Sequence, residues 1–94
     1  MAAGNFTGTA SSAAILAEDE YREYVFLQKT NDTTVALGIG TAAVAGKGIQ
    51  LTNVNDTVLL TGPAARNAIY VIGNGGTGTY QTDYDIAYTP GPTP

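Results

Sequence analysis

The chain never sustains an apolar run beyond five residues, and each run is closed within a few positions by Gly, Asn, Asp, Pro or an acidic pair. An amphipathic helix needs an apolar stripe that recurs over ten or more residues, and none is present. A membrane-spanning helix needs about 20 apolar residues in succession, and the longest runs, Ala13–Ala17 and Ala68–Ile72, fall far short. What this punctuation permits is a series of short strands.

Thr33–Ile39 alternates, with Thr33, Val35, Leu37 and Ile39 on one face. Arg22–Thr30 reads as a strand whose Tyr24, Val25, Phe26 and Leu27 load both faces, as between two layers. Ile49–Thr52, Thr57–Thr61 and Asn67–Ile72 read as further strands, and Tyr80–Thr89 alternates again. Residues 62–66 read as a loop. Ala13–Ala17 could open a helix capped by Ser12, or form a short strand before the acidic turn Glu18-Asp19-Glu20. The strand is preferred, because no apolar stripe continues at helical spacing. Six or seven short strands with turn signals every 8 to 12 residues give an all-β expectation: a small antiparallel β-sandwich or barrel. The length of 94 residues suits one such domain. The expected layout is an extended N-terminal arm over residues 1–12, the sandwich over 13–89 and a Pro-rich tail over 90–94.

Composition narrows the chemistry. The chain has no His and no Cys, which removes disulfides, thiol or imidazole catalysis and the usual zinc sites. Its four basic residues, Arg22, Lys29, Lys47 and Arg66, are scattered in a chain of net charge −4, so no basic stripe is available for nucleic acid. Residues 1–12 lack the basic and apolar regions of a secretory signal. The expectation is a soluble protein made in a cytosol.

Two motifs imitate nucleotide sites. Gly73, Gly75 and Gly78 have the G-x-G-x-x-G spacing of a dinucleotide-binding turn. That turn must open a helix whose amides hold the pyrophosphate. Here the following residues alternate with period two, so a hairpin turn using glycines is expected instead. Residues 40–48, GTAAVAGKG, resemble a P-loop, but five residues separate Gly40 from Gly46 and Gly48 replaces the Ser/Thr that would hold magnesium. They read as a connection with a solvated Lys47. The cluster Glu18, Asp19, Glu20, Glu23 and the pair Asp83, Asp85 could serve calcium or acid–base roles, yet nothing completes such a site and a solvated face is expected. No catalytic residue, metal ligand or cofactor is assigned. The residues that remain are aromatic. Phe6 is the one large apolar residue of the arm, and Tyr80, Tyr84 and Tyr88 share a predicted face of the last strand. These four are the candidate interface residues, since Tyr buries apolar area and keeps a polar handle.

The run R-E-Y-V-F-L-Q-K-T-N-D-T-T-V-A-L-G-I-G, followed by G-K-G-I-Q-L and N-A-I-Y-V-I, resembles a family of small β-sandwich proteins encoded beside capsid genes in tailed bacteriophages. The matching positions are Arg22, Val25, Leu27, Gln28, Leu37, Gly38, Gly48, Ile49, Leu51, Ile69 and Ile72, within roughly residues 13–88. The family often has Asn after the Gln, where this chain has Lys29. Members act as capsid decoration (cement) proteins, and related modules occur in head fibres. The resemblance implies a non-enzymatic virion protein on the capsid surface. It would bind and stabilise the shell of the major capsid protein as a homotrimer, with no nucleic-acid or membrane partner. The alternative it leaves is a head-fibre, spike or tail module contacting a host glycan or another fibre subunit.

Overall fold

The computed structural model describes residues 2–83. They form β1 (Ala2–Thr7), β2 (Ala13–Leu16), β3 (Tyr24–Lys29), β4 (Val35–Ile39), β5 (Ile49–Leu51), β6 (Thr57–Thr61), a single helical turn α1 (Pro63–Arg66), β7 (Ile69–Ile72) and β8 (Thr77–Thr82). The eight strands make two four-stranded sheets, in the orders β1-β8-β3-β6 and β2-β7-β4-β5, and every pairing is antiparallel. The sheets pack face to face as a sandwich. Only β4 and β5 form a hairpin between sequence neighbours; every other connection crosses from one sheet to the other.

Alternation sets what faces inward. Val25 and Leu27 of β3 and Leu60 of β6 meet Val35 and Leu37 of β4, Leu51 of β5 and Ile69 and Val71 of β7 in one buried cluster. β3 is thus buried on one face only: Tyr24, Phe26 and Gln28 point away from the core and stay half-exposed. This corrects the expectation of a strand enclosed on both sides. Residues 62–66 are not wholly a loop either. Pro63 stands at the first helical position, where its fixed φ and missing N–H suit a helix start, and Ala65 is buried beneath the turn.

The N-terminal segment differs most from expectation. Residues 2–7 are not an arm outside the sandwich but the edge strand β1, paired with β8 from Ala2↔Thr82 to Thr7↔Thr77. The backbone beyond it is tied in too: Gly8 N–H donates to Gly76 O (2.6 Å) and Gly73 N–H to Thr9 O (3.0 Å). Two aromatic–glycine pairs lock the register. Phe6 sits opposite Gly78 and Tyr80 opposite Gly4, and each ring lies over the glycine it faces, in the space a Cβ would occupy. The glycine cluster is likewise no hairpin. It carries the chain from β7 in one sheet to β8 in the other, with Gly75 at φ +85°.

Candidate functional site

The two outer faces of the sandwich differ in kind. The outer face of the β2-β7-β4-β5 sheet is partly roofed by the connection 40–48: its backbone from Thr41 to Ala43 lies where a Cβ on Gly38 would be, and Ala36 and Ala43 are buried. Ser12 Oγ accepts a hydrogen bond from Ala43 N–H (2.8 Å), which fixes that roof to the segment before β2.

No described segment roofs the outer face of the β1-β8-β3-β6 sheet. Register places Ala3, Asn5 and Thr7 of β1, Thr77, Thr79 and Gln81 of β8, Tyr24, Phe26 and Gln28 of β3, and Thr57, Leu59 and Thr61 of β6 on it. None of these twelve residues is charged, in a chain with 12 charged residues in all. Exposed sheet faces are ordinarily studded with charge, and charge depletion with aromatic enrichment marks the centre of protein interfaces. Phe26 and Leu59 sit side by side across β3 and β6, and Leu59 is 60% exposed. Tyr24 Oη accepts from Gln81 Nε2 (3.2 Å), so the face is polar at its margin and apolar at Phe26–Leu59. A shallow groove beside Phe26 is lined by Asn5, Gln28, Thr79 and Gln81. Such a face can bury surface and exchange neutral hydrogen bonds through its Thr, Asn, Gln and Tyr side chains.

Of the four expected interface residues, the two that are described, Phe6 and Tyr80, do not lie on this face. Phe6 is 4% exposed and part of the core. Tyr80 points inward as well, against the core beside Leu27. Tyr84 and Tyr88 lie outside the described residues. Half-buried Asp83 has a structural part: its carboxylate accepts from the amides of Glu23 (3.0 and 3.1 Å) and Tyr24 (3.4 Å), fixing the start of β3. Asp85 lies outside the described residues. Glu18, Asp19 and Glu20 line an open cleft of about 710 Å³ with Tyr21, Pro63, Arg66 and Asn67. Among the described residues no three Asp or Glu side chains come together as a metal site would need. The elements after the two glycine motifs, β8 and β5, are strands, so neither motif opens the helix that a dinucleotide-binding turn or a P-loop opens.

Two of the four scattered cations, Arg22 and Lys29, are buried and structural. Arg22, 3% exposed, donates to three carbonyls: Nε to Ala65 (2.5 Å), Nη1 to Ala17 (3.1 Å) and Nη2 to Asn67 (2.8 Å). Burial pulls its pKa down, and Asp19 and Asp83 act against that. Lys29 has no exposed surface. Its Nζ donates to Asn31 Oδ1 (2.7 Å) and Thr77 O (3.0 Å). Burial lowers its pKa, opposed by the field of Asp32. The turn that follows β3 is therefore built around this lysine. The signal for the outer face was present in the sequence as strands with apolar residues at both parities, Tyr24–Leu27 and Val58–Leu60; one parity had to point outward.

No protein-family model, no curated protein and no solved structure matches the chain.

Proposed function

We propose that the chain is a structural protein of a phage virion, a capsid decoration protein that binds the shell of the major capsid protein and stabilises it, as a homotrimer. The observation that carries this reading is the uncharged outer face of the β1-β8-β3-β6 sheet, centred on Phe26 and Leu59. It joins the resemblance of residues 13–88 to small sandwich proteins encoded beside capsid genes. A cement protein needs a rigid body and a face that buries surface on its partner. Repetition over a shell then makes each modest contact count. Binding only the assembled shell shifts the equilibrium toward it.

The testing experiment is co-sedimentation of the protein with purified phage heads, with the native mass of the free protein measured alongside. The wild-type chain is expected to sediment with heads and to raise their resistance to heat. Phe26→Glu is expected to keep the circular dichroism of the wild type and lose head binding at least about tenfold, since a carboxylate buried without a partner is strongly unfavourable. A chain that ignores heads while staying oligomeric would overturn the reading. The shallow groove beside Phe26, with amides and hydroxyls around one aromatic ring, would then favour a fibre or spike module binding a host glycan.

A further inference from the structure

The edge of that same sheet carries a second surface. Among the described residues β6 is a terminal strand, paired only with β3. Lys29 N–H donates to Asp56 O (2.8 Å) and Lys29 O accepts from Asn55 N–H (2.9 Å), so the backbone of Lys29 faces the β6 side. Backbone groups alternate in direction along an antiparallel strand. Leu27 and Val25 therefore also face β6, and their opposite numbers Val58 and Leu60 turn their N–H and C=O toward β3. The N–H and C=O of Thr57, Leu59 and Thr61 point the other way, to the open edge, and no backbone hydrogen bond from another described segment reaches them.

Natural edge strands are usually guarded by Lys, Pro, a bulge or extreme shortness. T-V-L-L-T has five residues, no charge and no Pro. It is also nearly palindromic about Leu59. We propose that β6 pairs with β6 of a second copy of this chain about a twofold axis through Leu59, joining two sandwiches through one continuous eight-stranded sheet. In that register Leu59 faces the partner's Leu59, and Thr57 faces the partner's Thr61. These are the residues whose backbone groups point outward, so each pair exchanges two hydrogen bonds. The two Leu59 side chains meet on the outer face, each flanked by its own Phe26.

Charge favours a copy as occupant. The chain carries −4, so most contacts between copies begin with repulsion, but neither this strand nor the face beside it bears a charge. The nearest carboxylates in sequence or pairing, Asp56 and Glu23, lie beyond the ends of the paired segment. Two five-residue edges bury less than the ~1,200 Å² of a standard interface. The contact is thus a weak one, populated at high protein concentration or between neighbours on a surface. It does not rest on the capsid reading. It is also distinct from a threefold contact, so either can fail alone.

The chain has no cysteine, which makes single-cysteine variants clean reporters. In a hydrogen-bonded antiparallel pair the Cα atoms are about 5.5 Å apart, within disulfide range. Oxidation of Leu59→Cys in concentrated solution is expected to give a covalent dimer. Thr57→Cys alone is expected to give none, while an equal mixture of Thr57→Cys and Thr61→Cys gives the heterodimer. Leu59→Lys is expected to weaken self-association at least about tenfold with an unchanged fold, because the side chain is exposed and a lysine at an edge opposes pairing. Equal cross-linking of the 57 and 59 variants, or none from any, overturns the proposal. Cross-linking that appears only after removal of residues 84–94 also overturns it, and assigns the edge to the chain's own C-terminal segment.

Discussion

The ammonium of Lys29 lies 2.7 Å from Oδ1 of Asn31, and no part of the lysine reaches solvent. Asn31 also accepts from Thr77 N–H (3.2 Å) and Thr33 N–H (3.3 Å), and its Nδ2 donates to Gly75 O (2.9 Å). One amide thus ties β3 to the glycine crossover and the start of β8. Asn31→Ala is expected to destabilise the chain by about 2–3 kcal/mol, because it strips a buried cation of one of its acceptors. Lys29→Met keeps the aliphatic volume and removes the charge, so the double variant is expected to be more stable than Asn31→Ala alone. Denaturant unfolding of the four proteins in this cycle measures both.

The same lysine sets a pH dependence. Its folded pKa lies below the ordinary 10.5 because of burial. Between the two values the unfolded chain holds a proton that the folded chain does not, so unfolding free energy increases with pH across that window. The increase is expected in the wild type and absent in Lys29→Met. At the acid end Asp56 has the opposite role. The amides of Asn53 (2.9 Å) and Thr52 (2.9 Å) and the Thr52 hydroxyl (3.2 Å) hold its carboxyl below the ordinary 3.8. Its contribution is present above that value and is lost as pH falls through the folded pKa. Asp56→Asn is expected to flatten the wild-type loss of stability in thermal melts taken below about pH 4.

Removing the Arg22 guanidinium leaves the carbonyls of Ala17, Ala65 and Asn67 without their donor. Arg22→Met is expected to cost about 3 kcal/mol and to lower Tm by more than about 10 °C. Arg22→Lys, with a point charge in place of a planar fork, is expected to recover only part of that. Equal melting of Arg22→Lys and wild type would show that charge rather than geometry holds this corner.

Gly78→Ala and Gly4→Ala probe the aromatic–glycine pairs and should differ. A Cβ on Gly78 meets the tip of the buried Phe6 ring and also the Gln28 backbone carbonyl, which is held in the strand and cannot swing away. A Cβ on Gly4 meets the hydroxyl end of Tyr80, the far end of a side chain. Gly78→Ala is expected to destabilise by about 2 kcal/mol or more, with Gly4→Ala well under that, as measured by chemical denaturation.

The strands with a large residue at every second position were legible in the sequence. β3, β4, β5, β6 and β7 fall inside the predicted runs because Val, Leu and Ile announce a buried face by alternation alone. β1 was hidden because its core contribution is one ring, Phe6, and its other inward described residue is Gly4, whose space is filled from across the ladder by Tyr80. That complementarity joins residues more than seventy positions apart and leaves no local trace. Lys29 was hidden for another reason: by residue type it counts as solvent-facing, and only its partners Asn31 and Thr77 make burial tolerable. Tyr24, Phe26 and Leu59 were visible as apolar residues, but period two does not say which face the second sheet will cover. Of the tyrosines expected to form an interface only Tyr80 is described, and it faces inward, whereas Tyr24, Phe26 and Leu59 stand on the outer face of β3 and β6.

The strand order has a consequence for synthesis. β8, the last described strand to be made, lies between β1 and β3, and β7 lies between β2 and β4. Neither sheet is a smaller sheet extended at its margin; each is closed by inserting a late strand between two early ones. A nascent chain that has not yet emitted β7 and β8 has no native partner for β1 or β2. The β3–β6 and β4–β5 ladders can form earlier, but the four ladders that join the remaining strands wait for β7 and β8, which makes completion of both sheets slow and cooperative. A chain stopped before residue 69 lacks four of the six ladders and leaves β1 and β2 without their native partners, a species ready to join others of its kind.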